Sequence, residues 1–100
     1  MNKKKLALAV GLCRRAGKLI LGTPAVTEAV QKGKARLVLI ASDASDNTAE
    51  RLTALCENRR VDWKKIPLTK AELSDACGLM RETAAAGIPG EFLNLVSAAL

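Results

Sequence analysis

The chain has 100 residues, enough for one domain with a single ordinary core. Hydrophobic residues make up 49%, yet the only aromatics are Trp63 and Phe92, so the core has to come from Leu, Val, Ile and Ala, as when helices pack on a short sheet. A formal net charge of +6 suits a polyanionic partner, and apolar runs such as Leu37–Ala41 fall far short of the ~20 residues of a membrane span.

The charge is unevenly spread. Residues 1–36 carry nine Lys or Arg against the single acid Glu28, whereas residues 37–100 carry seven against nine acids. All of the basic excess therefore surrounds the turn between Leu21 and Thr23, an electrostatic footprint that suits nucleic acid. Cys13, Cys56 and Cys77 are odd in number, share no Cys-x-x-Cys spacing and read as buried, reduced thiols. The first residues include three lysines, but their apolar stretch is broken by Gly11, Arg14 and Arg15 with no cleavage-site pattern, so a cytoplasmic location is expected.

Lys3 to Ala16 reads as a helix with Leu6, Ala9, Val10 and Cys13 on its buried face, widened by Leu8 and Leu12, and Gly17 at its end. Arg14 and Arg15 fall in the last turn, where cations suit the helix dipole. Leu19-Ile20-Leu21 is a short strand that stops at Gly22. Thr23 is expected to cap the following helix, Thr23 to Lys32, with Pro24 at its first position and Val26, Ala29 and Val30 inward. Ala35 to Ser42, apolar on both faces, reads as a central strand covered by helices. Asn47 with Glu50 resembles a capping box for a third helix running to about Arg60. In the loop before it, Asp43 and Asp46 could serve a magnesium ion, but turn and cap duty explains them equally well.

Val61 to Ile66 carries two lysines and reads as a strand nearer an edge, stopped by Pro67. Thr69-Lys70-Ala71-Glu72 is a capping box opening a fourth helix with Leu73, Ala76 and Cys77 inward and Gly78 at its end. Leu79-Met80-Arg81 is a loop. Thr83 to Ile88 is assigned as a strand because the helix–strand alternation needs one there, although Ala84-Ala85-Ala86 has better helix propensity. Glu91 to Leu100 closes the chain as a helix with Phe92, Leu95, Val96 and Ala99 apolar. The order predicts an α/β fold: a three-layer α/β/α sandwich around a four-stranded, mostly parallel mixed sheet.

No phosphate-binding Gly-x-x-x-x-Gly-Lys-Ser/Thr loop, no Gly-x-Gly-x-x-Gly and no Gly-x-Ser-x-Gly occurs, and there is no His to serve as a general base. A non-enzyme is expected, with no catalytic residue, metal or cofactor.

The ordered set Arg14-Arg15-Ala16-Gly17-Lys18, Gly22-Thr23, Lys32-Gly33-Lys34-Ala35-Arg36-Leu37-Val38-Leu39-Ile40-Ala41 and Asp43 resembles the kink-turn RNA-binding ribosomal protein family. Thr69-Lys70-Ala71-Glu72-Leu73 and Ala76-Cys77-Gly78 fit its fourth helix and the loop that follows. The similarity covers about residues 3–100 and looks closest to the bacterial YlxQ-like branch. It implies the same sandwich and RNA binding at the N-terminus of the second helix. Family members follow Gly-Thr with Asn-Glu, which read tandem sheared G·A pairs, and place a Lys one turn on to meet the RNA backbone. Here those positions are Pro24, Ala25 and Glu28. The basic electrostatics are retained while the direct G·A readout is lost.

The sequence therefore predicts a single RNA-binding domain over residues 1–100, ribosomal or ribosome-associated, contacting a kink-turn-like or bulged RNA. Arg14, Arg15, Lys18, Lys34 and Arg36 would meet phosphate, Gly22 and Thr23 form the helix mouth, and Leu79, Met80 and Arg81 pack on a base or bond phosphate. Ribosome-associated proteins are further candidate partners, and no membrane is expected. The alternative is an adaptor that keeps the fold and exchanges RNA for a protein. A monomer is expected, since no long amphipathic seam is left over.

Overall fold

The computed structural model describes residues 1–100. In chain order the elements are α1 (Lys3–Arg15), β1 (Ile20–Leu21), α2 (Thr23–Gln31), β2 (Leu37–Ile40), α3 (Asp46–Arg59), β3 (Asp62–Lys65), α4 (Lys70–Ala76), β4 (Ala85–Ile88), a 3-10 turn (Gly90–Phe92) and α5 (Leu93–Ser97). No helix is long and apolar enough to cross a membrane.

The alternation along β2 divides the core. Leu37 and Leu39 pack with Leu6 and Val10 of α1, Leu73 of α4 and Val96 of α5 on one side of the sheet. Val38 and Ile40 pack with Val26 and Val30 of α2 and Leu52 and Cys56 of α3 on the other. Side chains of a strand point alternately to its two faces, so a strand apolar at every position needs helices on both. The three layers are thus α1/α4/α5, the sheet, and α2/α3, as the element order predicts.

The strand order is β1-β4-β2-β3. β3 is an edge strand, with three of its four residues exposed, and it pairs parallel to β2. β4 lies between β1 and β2 and runs antiparallel to both. Three of the four strands therefore share one direction, but only one of the three pairings is parallel. The reversal follows from the length of α4. Its seven residues span only about 10 Å, and the chain after it stays near the carboxyl end of β1, so β4 enters the sheet from that end.

β4 is a strand despite its alanines because of where it sits. Ala86 and Ile88 face the first core and Ala85 the second. A Cβ on Gly87 would stand 3.2 Å from the Ile20 Cβ, so only small side chains fit between the neighbouring strands and α2. Packing overrides propensity here.

Four local readings differ from the sequence expectation. Gly22, not Thr23, is the N-cap of α2, and no side chain caps that helix. Ser45, not Asn47, caps α3: its hydroxyl accepts from the Thr48 N–H at 3.2 Å, leaving Asn47 exposed in the first turn. Gly90–Phe92 is a 3-10 turn, and α5 proper covers only Leu93–Ser97. Leu8 and Leu12, expected to widen the buried face of α1, are exposed, as is Leu95, because α1 meets α4 and α5 through Leu6, Ala9, Val10 and the close approach of Gly11 to Ala76. The remaining caps follow expectation: Thr69 and Glu72 close the capping box of α4.

Candidate nucleic-acid interface

The site begins where β1 becomes α2. Gly22 has φ 86° and ψ 153°, a region essentially closed to residues with a Cβ. Its N–H donates to the Ala85 carbonyl at 3.1 Å, and its own carbonyl accepts from the Val26 N–H at 2.9 Å. The first turn of α2 is thereby fixed against the start of β4. Pro24 has no N–H, so the uncapped donors at this positive helix end are the Thr23 and Ala25 N–H groups. Pro24 and Ala25 are exposed and small, so a ligand can approach the backbone closely.

Beside this mouth lies the segment from Leu79 to Thr83. Leu79 is half-buried against the core, whereas Met80 is fully exposed. Leu21, Gly22 and residues 79–83 line one shallow concavity of about 390 Å³. Arg81 is exposed and has no acidic partner, while Glu82 is paired with Lys70 at 3.9 Å. Two buried hydroxyls hold the segment. Ser74 on α4 faces the carbonyls of both Leu79 and Arg81 and donates to one at a time, and Thr83 donates to the Ala85 carbonyl at 3.1 Å. Arg14 stands near enough to Cys77, just before this segment, to oppose the effect of burial on its thiol.

The remaining sequence-selected cations lie elsewhere. The Arg36 N–H donates to the Ile88 carbonyl at 2.8 Å, and its side chain runs past Gly90. Lys18 pairs with Glu91 at 3.7 Å. Both therefore sit by the Ile88 end of β4, and Gly22 by the Ala85 end, a separation along the strand of roughly 10 Å. Lys34 is exposed just after α2, and Arg15 lines a different surface with Lys4, Leu8 and Leu12. Gly22, Leu79, Met80 and Arg81 are thus gathered around the concavity, while Thr23, next in sequence, lines a surface between α2 and α3. Lys18, Lys34 and Arg36 are separate cations beyond the concavity, and Arg15 is apart from both groups.

Glu28, at the position where the resemblance expects a Lys, is bonded to Lys32 one turn on, which holds its carboxyl below the ordinary range. Its charge is compensated locally. Asp43, the metal candidate, accepts from the Lys70 N–H at 2.7 Å and serves the start of α4. Reading the sequence missed Ser74 and Thr83. The one signal for Ser74 is a hydroxyl set between Leu73 and Cys77 in an apolar stripe, where a buried polar group needs a partner.

Chemically, the concavity offers one free guanidinium and an exposed thioether, with the uncapped start of α2 adjoining at Gly22, a set that suits phosphate and an unstacked base. Its ionisable side chains are Arg81 and Glu82.

Comparison with known proteins gives the same frame. The model of the ribosomal protein L7Ae/L30e/S12e/Gadd45 family matches residues 4–92. A protein with unknown function from Bacillus halodurans C is similar in structure, with a TM-score of 0.85 and 31% identity over 97% of this chain and 96% of that one. The Giardia lamblia 15.5kD RNA binding protein is similar with a TM-score of 0.82 and 28% identity, over 95% of this chain and 81% of that one. With matching sequence along most of its length and the same arrangement of layers, the chain belongs to the ribosomal protein L7Ae/L30e/S12e/Gadd45 family.

Proposed function

We propose that this protein is a non-catalytic RNA-binding protein, ribosomal or ribosome-associated, that recognises the shape of a bent or bulged RNA. The observation that carries the reading is the single concave surface made by Gly22 and residues 79–83, with the free Arg81 in its lining and the uncapped start of α2 following directly on Gly22. Family membership and the likeness to an RNA-binding protein from Giardia lamblia support it.

In this reading a phosphate meets the Thr23 and Ala25 N–H groups, where the helix dipole favours negative charge. Met80 covers the face of a base turned out of its stack, and Arg81 and Arg14 bond flanking phosphates. Lys18, Lys34 and Arg36 hold a further stretch of backbone. Pro24 and Ala25 offer no side-chain acceptor to a base edge. Selectivity then comes from which RNAs can present an unstacked base beside a sharp bend, not from reading G·A pairs.

The test is crosslinking in cells followed by sequencing of the bound RNA, with Arg14→Ala/Lys18→Ala as control. The reading predicts enrichment of one bent or bulged element that the control loses. Diffuse signal equal in both would overturn it.

A further inference from the structure

A second surface of interest lies along α1. Leu8 is 67% exposed, Leu12 47% and Leu95 41%, and all three belong to one continuous relief. Leu8 and Leu12 form a ridge with a concavity on each side, one running to Leu95 and Ala98 of the C-terminal segment and the other to Ala76 at the end of α4. The buried core does not use these side chains. Large exposed aliphatic groups in one contiguous patch mark an interaction surface more often than scattered ones do.

The rim of the patch is all of one sign. Lys5 borders the first concavity, and Lys4 and Arg15 the second. None of these three has an acidic partner within ion-pair distance, since the bases so paired are Lys3, Lys18, Lys32 and Lys70. α5 contributes no charged side chain. On α4, Glu72 and Asp75 line the adjoining groove with Lys4, Ala7 and Ala76, and Glu72 is already bonded to Lys3. From Lys4 to Arg15 the face extends for about 16 Å, roughly three helical turns.

We propose that the Leu8–Leu12–Leu95 surface docks an acidic amphipathic helix of a protein partner. Apolar residues at helical spacing would straddle the leucine ridge, and flanking Asp or Glu would meet Lys4, Lys5 and Arg15. Charge complementarity selects this occupant. A second copy of the chain would bring the same three cations face to face, on top of a net charge of +6 on each copy. RNA phosphates would meet only the three cations and leave the leucine ridge without a partner. The surface does not depend on the RNA-binding reading, and the protein could hold both ligands together.

The experiment selects a phage-displayed library of random peptides of about 16 residues on the wild-type chain, with counter-selection on Leu8→Ser/Leu12→Ser. These leucines are exposed, and far-UV circular dichroism with thermal melting verifies that the variant folds. The enriched peptides should carry apolar residues at helical spacing with Asp or Glu beside them. In fluorescence anisotropy they should bind the double serine variant about tenfold or more weakly, lose affinity on Lys4→Glu/Lys5→Glu, and weaken with salt. Sedimentation should find the wild type and the serine variant in the same oligomeric state, and both should bind a bulged RNA equally. Failure to enrich peptides over the counter-selected variant, or enrichment of peptides without acids, would overturn the proposal. So would a dimer lost on Leu8→Ser/Leu12→Ser, which assigns the face to a second copy, or a loss of RNA affinity in that variant.

Discussion

The 3.1 Å hydrogen bond from the Gly22 N–H to the Ala85 carbonyl joins the mouth of α2 to the strand that follows the 79–83 segment. Two parts of the chain that are distant in sequence become one continuous surface through this contact. Its geometry needs glycine, because φ 86° with ψ 153° excludes a Cβ at ordinary cost. Gly22→Ala is therefore expected to destabilise the fold by about 1–3 kcal/mol in urea titration. It should also weaken binding of a bulged RNA beyond what the lost stability explains.

Ser74 holds the loop from α4 through the Leu79 and Arg81 carbonyls. Ser74→Ala leaves the Leu79 and Arg81 carbonyls without their buried donor and is expected to cost about 1 kcal/mol. Amide exchange should speed up locally, over residues 79–83, before the rest of the protein is affected. Ser74→Thr, which keeps a hydroxyl, should restore part of the protection.

Arg60 is the only non-glycine residue with positive φ, at 59°. It ends α3 with the hydrogen bonds that Gly17, Gly33 and Gly78 provide elsewhere: the Arg60 N–H donates to the Glu57 carbonyl and the Val61 N–H to that of Cys56. The left-handed region costs an L side chain about 1–2 kcal/mol, part of which glycine returns as extra freedom in the unfolded chain. Arg60→Gly is expected to raise stability by about 0.5–1 kcal/mol by thermal or urea denaturation.

The thiols give a pH dependence of known sign. Burial pushes Cys56 and Cys77 up to about 11, and Cys13 rises for the same reason. Folded chains should therefore resist a thiol-specific reagent at pH 8 and react with all three cysteines only when unfolded. The unfolded thiols ionise near their ordinary value of 9.0, so their contribution to stability is complete below that pH and falls as pH rises towards 11. At the acid end the Thr69 N–H and then Lys3 hold the Glu72 carboxyl below its ordinary value. That contribution is present above the ordinary value and is lost as pH falls through the folded one, so Glu72→Gln should flatten the acid limb of the stability curve.

Much of this was legible in the sequence for specific reasons. The doubly apolar run Leu37–Ile40 announces a covered strand, and the Thr69–Glu72 capping box fixes the start of α4. The order of the strands was not legible, because the antiparallel entry of β4 depends on how far α4 carries the chain. The sequence points to Asn47 as the cap of α3, but Ser45, in the same polar loop, is the one the folded backbone brings to the Thr48 N–H. The exposure of Leu8 and Leu12 was hidden for a related reason. Periodicity gives an apolar face its width, while the neighbouring helices decide how much of it they cover. Gly22 and the 79–81 loop, both singled out through the resemblance, stand together in the fold, but Lys18 and Arg36 belong to the other end of β4, which spacing along the chain cannot reveal.

The most direct test of the central claim is fluorescence anisotropy with one labelled RNA in bulged, fully paired and G·A-containing kink-turn forms. It compares the wild type with Met80→Glu/Arg81→Glu, two exposed side chains whose replacement leaves the core intact. The account predicts that the bulged RNA binds about tenfold or more tightly than the paired one, and that replacing the G·A pairs of the kink-turn changes affinity by no more than about threefold. The double variant should lose the preference for the bulge. Equal binding of straight and bulged RNA, or a preference that survives Met80→Glu/Arg81→Glu, would contradict the account.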